Sequence, residues 1–268
     1  MAPPPSDGRG RRHLFSGGCD TLVTQLSQLL AHAVKPWAAV LAAVVLLSAC
    51  DRDTAQATAR IEKGIALAEA AKFSLAREAF RQAIALDSTR AEAHLRLGYM
   101  YEVVDSLADA KLEYAAATRF DPDMAAAHYN YGLMLAREGD HQRAKVEFKR
   151  AIELNSADPD TALGPLPHYC LGLVYAAQGD YEDAIRAYTS ALELSPSLPY
   201  VHNELGKVYK KQNRLQEAEA ALIRALELKE DLAGAHYDLM TVYMRLGRPD
   251  LASKHKRLFE QYRNGQAD

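Results

Sequence analysis

Apolar residues recur along most of the chain at the spacing of amphipathic α-helices. In one representative stretch, Leu171, Val174 and Tyr175 form a first stripe, and Ala184 and Tyr188 belong to a second. Side chains three, four and seven positions apart lie on one face of a helix, so each stripe predicts a helix with one buried face. Two such stripes with a short polar turn between them follow one another repeatedly, which predicts successive pairs of helices.

A glycine marks the same place in five successive helix pairs. The glycines are separated by 34, 34, 40 and 34 residues and are Gly64, Gly98, Gly132, Gly172 and Gly206. An alanine and a bulky residue recur at fixed distances behind each glycine, as Ala144 and Phe148 do behind Gly132. We expect the small residues to let the two helices of a pair approach closely. Because one pair cannot bury both of its apolar faces alone, neighbouring pairs must stack.

Turn residues separate the two helices of several pairs. Gly139, Gly179 and Gly247 suit the left-handed position that ends a helix, where glycine carries no steric penalty. Asp140 and Asp180 follow two of them and suit the N-cap of the next helix. These residues therefore predict tight helix-turn-helix connections.

The repeated segments include "AEAHLRLGYMYE", "AAAHYNYGLMLA" and "PLPHYCLGLVYA", and they resemble the tetratricopeptide (TPR) repeat. The resemblance covers almost everything after Arg60 and implies an all-α fold, a right-handed TPR superhelix of about six helix-turn-helix repeats with a concave groove. The last unit departs from the pattern, with Met240 in place of the glycine. The predicted units are 57–90, 91–124, 125–158, 165–198, 199–232 and 233–266. Residues 159–164 form an insertion, either a tolerated surface loop or an elaboration that binds a partner.

The first fifty residues follow a different pattern. Residues 1–34 begin with a Pro, Gly and Arg-rich stretch that cannot bury a core, so we expect this segment to be disordered. Alternatively, it precedes a true translation start at Val34 or slightly upstream of Val34. The apolar run from Trp37 to Leu47 has eleven residues, about half of what a bilayer span requires. Residues 35–50 instead predict a secretory signal peptide.

The end of this signal, Leu47-Ser48-Ala49-Cys50, resembles the bacterial lipobox. The resemblance implies cleavage before Cys50, lipidation of Cys50, and a short linker at residues 51–56. Two alternatives remain open: a secretory signal with a chance cysteine, and a membrane-spanning anchor. Asp51 follows the cysteine and resembles the residue that retains lipoproteins in the inner membrane of one group of bacteria. Because the sequence does not identify the organism, the choice between the inner and the outer membrane stays open.

Composition and charge narrow the classes of function. The 268-residue chain has a net charge of −3, so it carries no basic footprint for nucleic-acid phosphates. Its three cysteines imply no disulfide framework. The sequence contains no HExxH, P-loop, GxSxG or paired-cysteine motif. We therefore expect no catalysis, no cofactor and no metal.

Five histidines hold the same repeat position, which at first suggests a ladder of ligands: His94, His128, His168, His202 and His236. Equivalent positions lie two helices apart, or roughly 15–20 Å at normal helix spacing. A shared metal requires bonds of about 2 Å. We interpret these histidines as packing residues with one ring nitrogen satisfied, and Cys170 as a small buried residue.

The TPR resemblance implies that the first helix of each unit lines the concave groove. The candidate groove residues are Tyr99, Tyr129, Leu133, Tyr169, Leu173, Asn203, Lys207, Lys210, Tyr237 and Arg245. Their centre is aromatic and aliphatic and their C-terminal part is basic, which suits a protein or peptide segment with an apolar anchor and an acidic flank. Binding of chaperone tails is disfavoured, because apolar residues such as Ile61 and Leu95 occupy the places of the basic or amide groups.

These features predict a non-catalytic TPR scaffold, lipid-anchored to a bacterial membrane and facing the extracytoplasmic side, that helps to assemble an envelope complex. A pilotin-like role in assembling type IV pilus secretins and an adaptor role for cell-wall hydrolases fit the same architecture. Other classes also remain as alternatives: a cytosolic TPR regulator, an enzyme with its active site on the groove, or a remnant of a TPR-bearing glycosyltransferase.

Overall fold

The computed structural model describes residues 36–157 and 163–265, and this part of the chain is helical without any strand. Segment 1–34 and most of the predicted insertion lie outside the described residues. The predicted all-α, helix-turn-helix fold is confirmed. The twelve described helices are α1 (Pro36–Glu69), α2 (Phe73–Leu86), α3 (Ala91–Val103), α4 (Leu107–Phe120), α5 (Ala125–Arg137), α6 (His141–Ala157), α7 (Leu166–Gln178), α8 (Tyr181–Leu194), α9 (Pro199–Lys211), α10 (Leu215–Leu228), α11 (Ala233–Arg245) and α12 (Pro249–Gly265).

The chain divides into two compact units, with the boundary between Ser106 and Leu107. The first contains α1 to α3 and the second contains α4 to α12. In the first unit, α1 packs against α2 and also reaches α3. Residues 51–56, predicted as a linker, are helical because α1 runs through them without interruption.

The second unit has an inner and an outer layer of helices. We call α5, α7, α9 and α11 the inner helices, and α6, α8, α10 and α12 the outer helices. Each inner helix packs against the outer helix that follows it, and successive inner helices also touch one another. Among the described residues, no pair of outer helices comes comparably close. The inner helices therefore line the concave side of this unit.

Four of the described helix pairs are held by a large side chain lying on a glycine. A Cβ built on Gly132 would fall 2.8 Å from Cε1 of Phe148, closer than carbon atoms can approach. Phe148 is fully buried on α6. The same arrangement joins Gly64 to Phe80, Gly172 to Tyr188, and Gly206 to Leu222. The prediction that small residues permit close helix approach is confirmed for these pairs.

One backbone motif ends the first helix of every described pair. A left-handed residue occurs at the equivalent turn position in all six pairs: Ala71, Asp105, Gly139, Gly179, Asn213 and Gly247. The following N–H donates to a carbonyl five residues back, as in Asp140 N to Leu135 O at 2.9 Å. This is the hydrogen bond of a Schellman C-cap. Asp140 also caps α6 through a 3.2 Å bond from Arg143 N, whereas Asp180 occupies the N-cap of α8 without a side-chain bond.

The repeated histidines join each pair to the turn before it. Nε2 of His128 lies 3.0 Å from Pro122 O, six residues earlier. His202 and His236 make the equivalent contacts at 3.0 Å, and His94 makes its contact at 3.1 Å. Since a carbonyl oxygen only accepts, Nε2 carries the proton in each case. The interpretation of these four residues as structural is confirmed.

The second nitrogen of His236 contacts the C-terminal helix. His236 Nδ1 lies 3.0 Å from Nδ1 of His255 on α12, and Tyr262 stacks on His236 with ring centroids 5.4 Å apart. Because Nε2 of His236 donates to Glu230 O, its Nδ1 accepts, and Nδ1–H of His255 donates. Burial, followed by His236 and Lys254, lowers the pKa of His255 to about 4. Burial also lowers the pKa of His236.

Substituting Gly132 by leucine should disrupt one helix pair. We expect Gly132→Leu to lower the free energy of unfolding by about 1–3 kcal/mol, because the new side chain must displace the Phe148 ring. Gly234→Leu is the matched control, since a Cβ there meets no heavy atom within 4 Å. Urea denaturation measures both variants, and equal losses of stability would contradict this packing.

Acidification should weaken the docking of α12. The unfolded chain binds protons at the ordinary histidine pKa of about 6.5, whereas folded His255 binds them only near 4. This contribution to stability is therefore complete above pH 6.5 and is lost as the pH falls towards 4. We expect the melting temperature to fall between pH 7 and pH 5, and to fall less in His255→Asn, which keeps a donor but does not titrate. An equal fall of the melting temperature in the wild-type protein and in His255→Asn would show that the histidine pair does not cause the change.

Candidate functional site

Nine of the ten predicted groove residues lie in the second unit. They lie on the four inner helices α5, α7, α9 and α11. The tenth, Tyr99, lies on α3 in the first compact unit. The site described below is therefore the concave surface of residues 107–265.

The centre of this surface is built on α5 and α7. Tyr129 packs against Phe148 with ring centroids 6.1 Å apart, and Tyr169 packs against Tyr188 at the same distance. Each ring is partly buried and keeps one part accessible. Burial, and then the Glu204 carboxylate, raise the pKa of Tyr169 to about 12. Its hydroxyl therefore remains neutral and able to donate a hydrogen bond.

Cys170 belongs to the packing beneath this centre. Its Sγ lies 3.8 Å from the hydroxyl of Tyr129, and the residue is buried. Burial raises the pKa of the thiol, which keeps it protonated and poorly nucleophilic. The structure therefore agrees with its interpretation as a small buried residue.

Large apolar side chains on the inner helices remain exposed to solvent. Their exposed fractions run from 37% for Leu173 to 64% for Met244. The others are Leu166, Tyr200 and Tyr237. Leu166 was missed by sequence reasoning, although it stands six residues before Gly172, just as Tyr200 stands six before Gly206. An aligned comparison of the repeats would have found it.

The basic end of the surface makes internal contacts that the sequence pattern did not predict. Lys207 Nζ lies 2.7 Å from Glu204 Oε1. Lys210 forms an ion pair with the buried carboxylate of Asp238. Arg245 donates to Lys210 O at 3.1 Å and to Asn213 Oδ1 at 2.6 Å. Lys210 and Arg245 therefore tie α9 to α11, and Lys207 presents the more exposed charge.

Asn203 lies buried between these two regions. Its Nδ2 is 3.5 Å from Glu204 Oε1, and its Oδ1 has no hydrogen-bond partner in the described part of the chain. A buried amide oxygen without a donor is costly. Asn203 is therefore a buried residue of the packing between the helices rather than an exposed contact.

The described residues contain no group of three or more His, Cys, Asp or Glu side chains placed to hold a metal ion. Within the same residues, no helix combines the length and the apolar character needed to cross a bilayer. Cys50 lies within α1, and its side chain is outside the described part of the structure.

Among solved structures, several helical repeat proteins match the chain. A crystal structure of MamA is 26% identical, has a TM-score of 0.58, and the match covers 66% of this chain and 94% of MamA. YrrB, described as a TPR protein with an unusual peptide-binding site, is 20% identical with a TM-score of 0.58, covering 69% of this chain and 93% of YrrB. PilW, a widely conserved type IV pilus biogenesis factor, is 19% identical with a TM-score of 0.65, covering 76% and 92%. No curated protein matches the chain.

Family models also match along the repeats. A tetratricopeptide repeat model matches residues 61–110 and 105–160, and a second matches residues 199–232. A TPR repeat model matches residues 172–213. Together these matches cover more than half of the chain. The chain therefore belongs to the tetratricopeptide repeat family.

Proposed function

We propose that this protein is a non-catalytic scaffold that binds a segment of another protein on its concave surface. The observation that carries the proposal is the set of exposed apolar side chains on the inner helices, since such side chains usually mark a surface that another molecule covers. The similarity to YrrB, described as having a peptide-binding site, supports the same use of the fold.

The chemistry of the surface defines the segment that it would bind. Tyr129, Tyr169 and Leu173 offer an apolar and aromatic centre for a buried anchor residue. Lys207 offers a partly exposed ammonium group for a carboxylate beside that anchor. Because Lys207, Lys210 and Arg245 all make contacts within the protein, we assign the anchor the larger part of the affinity.

Removing the aromatic centre should weaken capture of the partner. Photo-crosslinking from position 173 in the native cells identifies the bound protein, and its affinity is then measured with purified components. We expect Tyr129→Ala with Tyr169→Ala to weaken binding at least about tenfold, the effect of losing roughly 1.4 kcal/mol. Far-UV circular dichroism checks that the helices remain.

Exposed apolar residues outside the inner helices provide a matched control for this experiment. Leu112 on α4 and Val146 on α6 are 65% and 64% exposed, and neither is on an inner helix. Leu112→Ala with Val146→Ala removes apolar side chains without touching the concave surface. Equal weakening by both double variants would show that the concave surface is not the binding site.

We further propose that the mature protein is a lipoprotein of the bacterial envelope, anchored through Cys50 and facing the extracytoplasmic side. The support is the segment Leu47-Ser48-Ala49-Cys50 at the end of a short apolar run. Such an anchor would hold the concave surface near a membrane, where the protein would assist assembly of an envelope complex.

Intact mass spectrometry of the protein from native membranes tests the anchor. We expect a chain that begins at Cys50 and carries acyl groups, and we expect Cys50→Ser to lack both the cleavage and the acyl mass. An unprocessed wild-type chain in the cytosol would contradict the lipoprotein proposal and would favour a cytosolic TPR regulator.

A narrower candidate is a role in type IV pilus assembly. The similarity to PilW covers 76% of this chain, which is a larger share than the match to MamA covers. That likeness concerns the fold, so the partner decides the pathway. Crosslinking of position 173 to a pilus secretin would support this role, and crosslinking to a cell-wall hydrolase would support the adaptor role instead.

A further inference from the structure

A second concave feature lies away from the surface described above. A cleft of about 340 Å³ opens between the outer helices α6 and α8, with α7 contributing to its lining. The α7 residues that line it are His168, Leu171 and Tyr175. Their spacing places them on a different face of α7 from Tyr169 and Leu173. The cleft therefore offers binding chemistry that the proposed concave site does not use.

Comparison between repeats shows what is missing from this cleft. In two other pairs of the second unit, the histidine contacts a polar side chain that stands nineteen positions later, on the outer helix. After His202 the equivalent position is Ala221. Nδ1 of His128 lies 2.6 Å from Glu147 Oε2, and Nδ1 of His236 contacts His255. The residue nineteen positions after His168 is Ala187, which has no polar group and lines the cleft.

The His168 ring is therefore left without the partner that His128 has. No hydrogen bond joins it to any residue that the structure describes. Burial lowers the pKa of His168, against an opposing effect of Glu193. A carboxylate beside the ring would favour its protonated form and so offset that burial.

The charges around the cleft also favour an anion. Of the lining carboxylates, Glu153 is paired with Arg150 at 3.3 Å and Asp183 is paired with Arg186. Lys149 lines the same cleft and has no ion pair within the described residues. An incoming carboxylate would thus find an uncompensated ammonium group and an imidazole.

We propose that this cleft binds a carboxylate group supplied by another molecule, in the place that Glu147 fills beside His128. An aspartate or glutamate side chain of a protein partner is the occupant that the open, outward-facing cleft favours. The bound state then reproduces a contact that the chain already makes one repeat earlier. This inference is independent of the concave surface and of the lipid anchor.

Nuclear magnetic resonance of the full chain with isotope-labelled histidine tests the proposal. The probe is N-acetylglutamic acid amide, which carries one side-chain carboxylate, and N-acetylglutamine amide is its neutral counterpart. We expect a saturable shift of the His168 ring signals with the acid and none with the amide. The His128 signals should not move, because Glu147 already occupies that ring.

Variants locate the effect in the cleft. Ala187→Glu should fill the site from within and abolish the response, whereas Ala221→Glu, at the equivalent position after His202, should leave it unchanged. Lys149→Met replaces an exposed side chain, so the fold is retained. We expect it to weaken binding about tenfold, the size of one lost charge-assisted hydrogen bond.

The outcomes separate the possible sources of the carboxylate. Tighter binding of the glutamate derivative than of acetate supports a protein side chain, and equal binding supports small free carboxylates. A His168 shift of the same size with N-acetylglutamine amide would overturn the proposal. Unchanged affinity in both Lys149→Met and a folded Ala187→Glu would overturn it as well.

Discussion

Contact between a glycine and a large side chain on the next helix is the constraint that sets the helix spacing in four of the described pairs. The ring of Phe148 occupies the space that any side chain at position 132 would need. This places the helix axes close together and buries the ring, so one contact supplies both geometry and apolar burial. The left-handed turn and the histidine bond also occur in the last pair, where Met240 replaces the glycine, so they stabilise the repeat separately from this contact.

The sequence predicted the helix pairs because their determinants are local and periodic. Glycine and alanine at fixed distances indicate where two helices approach closely, and the bulky residues indicate which side chains are buried between them. The turns were only half visible. A left-handed conformation is predicted at Gly139, Gly179 and Gly247 from the residue type. Ala71 and Asn213 adopt the same conformation without such a signal. Packing of the two helices imposes that backbone even where the side chain disfavours it, so residue type alone could not show it.

The candidate site was less predictable, because its chemistry depends on contacts between repeats. Tyr129 and Tyr169 could be placed from the repeat register. The pairing of Lys210 with Asp238, 28 residues away, could not, since nothing in the local pattern identifies Asp238 as its neighbour. The outer cleft was invisible for a related reason. Ala187 lines it at the position that Glu147 holds one repeat earlier, and only the packed structure shows the space beside that alanine.

The histidine bond makes the junctions between repeats chemically interchangeable. His202 binds Pro196 O and His236 binds Glu230 O, each six residues earlier. If residues 199–232 were excised, Leu198 would join Ala233, and the carbonyl six residues before His236 would be that of Pro196. His236 would then bond to Pro196 O, the carbonyl that His202 binds in the intact chain. Whole repeats can therefore be gained or lost during evolution without losing the histidine hydrogen bond at the junction. The length of the binding surface can then vary while the structure of each repeat stays the same.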